Sequence, residues 1–217
     1  MLEVEFRRLD LPDVELSADL RLPANACALV IFVHGSGSGR LSPRNQYVAD
    51  ELAVRGLASL LFDLLTEPEQ RLDNLSGVLR FDISLLAGRL IDVIDWVGRD
   101  RKLGALPIGL FGASTGAAAA MVAAAERASV IRAVVSRGGR TDLAGPALTR
   151  VKAPTLQIVG AQDPVILGLS RQSKQFLRCE QRLEVVERAT HLFEEPGTLE
   201  EVARLAGDWF EQHLRTT

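Results

Sequence analysis

Sulfur, aromatic rings and imidazoles are scarce in this 217-residue chain, which has two cysteines, two methionines, two tryptophans, one tyrosine and three histidines. Cys27 and Cys179 form no Cys-x-x-Cys pair, which argues against structural zinc and dithiol redox chemistry, and no disulfide between them is expected. The three histidines have no paired spacing, so no metal-ligand cluster is expected and no cofactor is called for. No apolar run approaches the roughly 20 residues that span a bilayer. Leu2, Val4 and Phe6 alternate with charged residues, a strand pattern rather than the apolar core of a signal peptide, so the expected location is the cytoplasm. Charge of one sign is lacking too. Lys and Arg number 25, Asp and Glu 28, and the net charge of −3 is interspersed, which gives no electrostatic case for nucleic acid or a membrane surface.

The length fits a single domain over residues 1–217, of the larger α/β kind. Residues 2–9 and 13–22 alternate apolar and polar and predict two edge strands joined at Pro12-Asp13. Ala28 to Val33 is continuously apolar, as in a buried parallel strand. Pro43 opens a helix from about Arg44 to Arg55, ended by Gly56. Ala58 to Phe62 reads as a strand and Thr66 to Gly77 as a polar loop. Ile83, Leu86, Leu90, Ile94 and Val97 recur at spacings of three and four and predict an amphipathic helix over 80–99. Leu106 to Phe111 is the next strand, followed by an alanine-rich helix from Ala117 to Arg127. Three more strands are predicted at Ile131 to Val135, Thr155 to Val159 and Leu183 to Val186. Helices are predicted from Ile166 to Leu177 and over 198–214. Repeated strand–helix units predict an α/β domain with a mostly parallel sheet covered on both faces.

Between the fifth strand and its helix stands Gly112-Ala113-Ser114-Thr115-Gly116. A Gly-x-Ser-x-Gly at such a junction is the nucleophile elbow of a serine hydrolase. Its turn is so sharp that side chains two positions either side of the serine would clash, hence the glycines. The plain alternative is a serine that merely caps a helix. A nucleophilic serine needs a base, and the base an orienting acid. His191 directly follows the last predicted strand and is the expected base. His213 is expected to be a solvated surface residue, and His34 to anchor the loop Gly35-Ser36-Gly37-Ser38-Gly39. Asp163, between serine and histidine in chain order and after a late strand, is the expected acid, with Asp142 as the alternative.

The developing oxyanion needs two donors, and the backbone N–H groups of Thr115 and Ser36 are the candidates. The glycine loop lacks the Gly-Lys-Ser/Thr ending of a phosphate-binding P-loop. Arg44, Arg137 and Arg140 could pair with a carboxylate or phosphate on the substrate, or could simply brace loops. Glu67 is expected to be solvated.

Oxyanion loop, serine, aspartate and histidine thus stand in an order that resembles the α/β-hydrolase superfamily over essentially the whole chain. More narrowly, the chain is similar to the dienelactone-hydrolase-like branch. The stretches His34-Gly35-Ser36-Gly37-Ser38, Ser42-Pro43-Arg44-Asn45, Leu61-Phe62-Asp63-Leu64-Leu65-Thr66, Ser136-Arg137-Gly138-Gly139-Arg140 and Thr190-His191-Leu192-Phe193-Glu194 carry that likeness beside the elbow. The resemblance implies an α/β-hydrolase fold with a mostly parallel eight-stranded sheet, helices on both faces and the site at the C-terminal ends of the strands. Relatives of this type are often encoded beside or fused to phosphoribosyltransferase domains, which implies a functional link to such an enzyme. The chain departs from the dienelactone hydrolases at the nucleophile, where they use cysteine and this chain has Ser114.

The expected function is a serine hydrolase cleaving a small carboxylic ester or lactone through an acyl-enzyme. Acyl transfer or perhydrolysis would use the same triad, and a non-catalytic binding module could keep the same fold. The stretch from Val135 to Thr155 is too short for a large helical lid, so the site is expected to be open.

Overall fold

The computed structural model describes residues 3–215. Leu2, placed by its alternation in the first strand, lies outside the described residues. β1 (Val4–Asp10) and β2 (Glu15–Arg21) pair antiparallel, Val4 opposite Arg21 and Asp10 opposite Glu15. β3 (Ala28–Val33) leads through the glycine loop to α1 (Pro43–Val54) and β4 (Leu57–Phe62). Then come α2 (Glu67–Ser76), α3 (Ile83–Arg99) and β5 (Ile108–Ala113). The elbow follows, with α4 (Thr115–Glu126) and β6 (Ile131–Arg137). β7 (Thr155–Gly160), α5 (Pro164–Phe176), β8 (Gln181–Val186) and α6 (Thr198–Leu214) complete the chain.

The eight strands form one sheet in the order β1-β2-β4-β3-β5-β6-β7-β8. β2 is antiparallel to β1 and to β4, and every pair from β4 to β8 is parallel. Crossovers put helices on both faces, so β3, β4, β5 and β7 are buried at every residue. One face packs Leu29, Ile31, Leu60 and Leu110 under α3 and α4. The other packs Val30, Phe32, Phe111 and Val135 under α1 and α6. Phe32 and Phe111 stack across the β3–β5 pair at 4.9 Å between centroids.

Four readings of the sequence need correction. β2 is not an edge strand, because β4 pairs with its free side. Residues 66–77 are not a loop. Thr66 Oγ1 accepts from Glu69 N–H while the Glu69 carboxylate accepts from Thr66 N–H, and this reciprocal cap starts α2. Apolar periodicity could not reveal it, since Asp73 is the one residue of α2 that is buried. The long third helix begins at Ile83, capped by Asp82, after a short 3-10 turn at Leu79–Phe81. His213 is not solvated: its side chain is 11% exposed and its ring lies 4.4 Å from that of Trp209. Both cysteines are free thiols.

α4 packs tightly against the sheet. Ala117, Ala118, Ala119, Ala120, Ala123 and Ala124 all have 0% exposure, so a larger side chain there must displace its neighbours. Ala120→Leu is expected to destabilise the fold by about 1–3 kcal/mol or more through overpacking, read as a lower denaturation midpoint.

Candidate active site

The C-terminal ends of β3, β5, β6, β7 and β8 converge on one edge of the sheet. Ser114, between β5 and α4, has φ +49° and ψ −122°. A non-glycine residue there is strained, and the surroundings must hold it. Two backbone bonds do so: Ser114 N–H donates to Arg137 O at 3.2 Å, and Arg140 N–H donates to Ser114 O at 3.0 Å. The flanking glycines are needed for space. A Cβ on Gly112 would stand 2.5 Å from Ala117 Cα, and one on Gly116 would stand 2.2 Å from Val33 O.

Asp163 closes β7 and caps α5. Its Oδ1 accepts from Ile166 N–H at 3.3 Å, and its Oδ2 lies 2.7 Å from His191 Nδ1. The carboxylate accepts, so Nδ1 carries the proton and Nε2 is left as the basic nitrogen. The loops bearing the two residues are joined by Gln162 N–H to Ala189 O at 2.9 Å. Gly138, at φ +55°, presses on His191: a Cβ there would be 3.2 Å from His191 O and 3.4 Å from Nδ1. Residues 137–140 therefore touch both the serine turn and the histidine. Among the described residues no hydrogen bond joins Ser114 Oγ to His191 Nε2; such bonds are often long until a substrate is bound.

The histidine loop is clamped at three points. Thr190 donates to the Glu195 carboxylate from its N–H at 3.1 Å and its hydroxyl at 2.6 Å, and these bonds hold that carboxyl below the usual range. Arg44 Nη1 donates to Glu194 at 3.0 Å. Phe193, 1% exposed and strained at φ +56°, lies 5.9 Å under the Arg137 guanidinium. Arg137 itself is 6% exposed. Its Nη2 donates to Asn45 Oδ1 at 3.2 Å, its Nε has no partner, and burial beside the charge of Arg44 pushes it down to about 10.

The glycine loop covers the serine. A Cβ on Gly35 would lie 2.9 Å from Ser114 Cβ. His34 anchors this loop as the sequence implied: Nδ1 is 2.9 Å from Gly35 O, and Nε2 accepts from Leu64 N–H at 3.0 Å. Thr115 N–H is the first N–H of α4. Ser36 N–H, the other expected oxyanion donor, points instead at Thr115 Oγ1, 2.9 Å away. Arg140 makes a two-pronged pair with Asp142 at 2.9 Å for each bond, so Asp142 is occupied away from His191. Glu67 is 91% exposed, as expected. An open groove of about 770 Å³ adjoins the loop at Ser38 and Gly39; its lining includes Arg40, Asp63 and Gln70 but neither Ser114 nor His191.

Sequence reasoning missed Arg80, which lines a small cavity with His34 and Ser36. Buried Asp73 accepts from both its backbone N–H, at 3.0 Å, and its Nε, at 2.6 Å. The signal was faint, since both residues fell in or beside a stretch read as polar loop. Asn45 and Glu195 were missed as well, because their partners are distant in sequence or in a loop without periodicity.

A serine raised at the end of β5, beneath a glycine loop that follows β3, is the plan of the α/β hydrolases. Solved structures agree. The crystal structure of a dienelactone hydrolase from Anabaena variabilis superposes with a TM-score of 0.97 and is 48% identical, covering 99% of each chain. The chain belongs to the dienelactone-hydrolase-like branch of that superfamily. Est1E from Butyrivibrio proteoclasticus shares the fold at a TM-score of 0.79 and 16% identity, over 95% of this chain and 98% of its own. A Mycobacterium tuberculosis protein named "Putative phosphoribosyl transferase" is 54% identical over 201 residues. That match takes in 93% of this chain and 44% of that protein, so the chain spans less than half the length of the curated relatives it matches. No protein-family model matches the chain. Among the described residues no helix is long and apolar enough to cross a membrane.

His34 gives a pH prediction. Burial lowers its pKa below the usual imidazole value, so the folded state favours the neutral ring and the unfolded chain binds the extra proton. Stability is then full above about pH 6.5 and falls as pH drops below it towards the folded value. Thermal unfolding between pH 8 and 5 should show this decline, and His34→Gln should flatten it. Equal slopes for the two proteins would remove His34 as the source.

Proposed function

We propose that this domain is a serine hydrolase that cleaves a small carboxylic ester or lactone through an acyl-enzyme. The observation that carries the reading is the 2.7 Å contact of Asp163 with His191 Nδ1, which leaves Nε2 basic beside the strained Ser114 turn. His191 Nε2 takes the Ser114 proton as Oγ bonds to the carbonyl carbon. The negative charge on the carbonyl oxygen falls at the N-terminus of α4, where Thr115 N–H has no intrahelical partner. As the tetrahedral species collapses, the bond to the leaving oxygen breaks and His191 returns the proton to it. In a lactone that alcohol stays attached to the acyl chain. Water then attacks the acyl carbon with His191 again as base, and Ser114 is regenerated.

The described residues form one sheet with one pair of covering layers, which supports a single domain. The name of the Mycobacterium relatives supports a functional link to phosphoribosyl transfer, which we assign to the part of those proteins that this chain does not cover. The partner of the site is a small ester, with no part for metal, nucleic acid or membrane in the steps above.

Ser114→Ala is expected to lower ester turnover by several orders of magnitude, about 10³-fold or more. A fluorophosphonate probe should label Ser114, with labelling lost in His191→Ala, as mapped by peptide mass spectrometry. Unchanged hydrolysis in Ser114→Ala would overturn the scheme. Arg137 is packed against Asn45 and Phe193, so Arg137→Met is expected to change kcat/KM equally for neutral and anionic esters. A much larger loss on anionic esters would place its guanidinium on the substrate.

A further inference from the structure

We infer that Thr115 serves the oxyanion with its side chain as well as its backbone: its hydroxyl is a catalytic hydrogen-bond donor, positioned and polarised by the N–H of Ser36. This rests on the serine-hydrolase reading and adds a role which that reading lacks.

The Thr115 hydroxyl carries a proton with no acceptor among the described residues. Thr115 is 3% exposed, and its Oγ1 accepts the Ser36 N–H at 2.9 Å. A hydroxyl that accepts one bond still has a hydrogen to donate. Within a helix, threonine usually gives it to a carbonyl one turn back. Thr115 is the first residue of α4, and the residues behind it belong to the elbow and to β5. Among the described residues no group accepts from Thr115 Oγ1. Buried polar groups in folded proteins are nearly all paired, so a hydroxyl hydrogen with no protein acceptor beside a candidate nucleophile calls for a functional explanation.

The surroundings say what that acceptor is. Ser36 follows Gly35, which is pressed against the nucleophile, and Thr115 follows the nucleophile directly. Thr115 Oγ1 thus lies between the two backbone segments that flank Ser114, close to its own free N–H. The same corner is the positive end of a twelve-residue helix with no acidic side chain in its first turn. An oxygen gaining negative charge there meets two donors from one residue, N–H and Oγ1–H. Ser36 N–H stands behind the hydroxyl and pulls electron density from it. A hydroxyl so engaged is a stronger donor, and a charged acceptor roughly doubles the strength of the bond.

No proton changes hands at Thr115. As Ser114 Oγ bonds to carbon, the carbonyl π pair moves onto oxygen, which accepts from both Thr115 donors. When the leaving alcohol departs with the proton from His191, that pair returns and the double bond re-forms.

The opposite reading is that the hydroxyl is a place-holder which keeps Ser36 N–H from the oxyanion. The two readings predict opposite signs. Wild type, Thr115→Val, Thr115→Ala, Thr115→Ser and Ser114→Ala are compared on p-nitrophenyl acetate, with thermal unfolding of each as a check of folding. If the hydroxyl donates, Thr115→Val lowers kcat by about 100- to 1,000-fold, as loss of one oxyanion donor does, with KM nearly unchanged. Thr115→Ala, which also lacks the hydroxyl but is smaller, falls alike even where valine fits poorly. Thr115→Ser restores the donor and recovers most of the turnover. A kcat that stays the same or rises in folded Thr115→Val and Thr115→Ala overturns the inference and leaves the serine-hydrolase reading intact. A wild type no faster than Ser114→Ala overturns both.

Discussion

The arrangement of the candidate site depends on how near α4 comes to the carbonyl ends of β3. At Gly116 there is no room for a single methyl group, because Val33 O and His34 O would lie 2.2 and 2.4 Å from it. That closeness brings the positive end of a helix and the glycine loop to the same side of one serine. It also forces the sharp turn that leaves Ser114 at positive φ. Strain of this kind costs on the order of 1–3 kcal/mol and persists only when its surroundings over-determine it. Here the over-determination comes from β6, whose last residue accepts from Ser114 N–H and whose following loop donates to Ser114 O. The loop that braces Ser114 also presses on His191, so the two share one backbone support.

Charge is handled differently at the three arginines around the site. Arg44 and Arg140 have carboxylate partners in Glu194 and Asp142, at 3.0 and 2.9 Å. Arg137, more deeply buried, has a neutral amide and an aromatic face. A buried cation without a counter-ion is a stability cost. The guanidinium lies over Phe193, two residues beyond His191 and itself strained, which ties the histidine loop to β6 and α1 rather than leaving it to solvent.

Much of this was legible in the sequence because the decisive signals are local. The elbow announces itself within five residues, β3 as six unbroken apolar ones, and His191 by its place in the loop after the last strand. The order of Ser114, Asp163 and His191 was enough to find the Asp163–His191 contact. What escaped has its cause in long-range pairing or in side-chain bonds. β2 looks like an edge because alternation reports how half-buried a strand is, not what pairs beyond it. α2 turns almost its whole surface to solvent and is started by a reciprocal Thr66–Glu69 cap, so there was no apolar stripe to read. His213 sits at a helix end where solvent would be expected, yet Trp209, one turn earlier, covers its ring. The commitment of Ser36 N–H to Thr115 Oγ1 joins residues 79 apart, and no spacing rule predicts it.

Asp163 divides its two oxygens between two tasks, one holding the first turn of α5 and the other the imidazole of His191. Under the proposed mechanism, selection for folding and selection for turnover fall on a single carboxyl group. A descendant that had abandoned catalysis would still need a capping side chain there, which asparagine, serine or threonine supplies as well as aspartate. A capping residue at that position in a related sequence reports an intact α5, whereas the histidine opposite, with no such second employment, would be the first of the pair to drift.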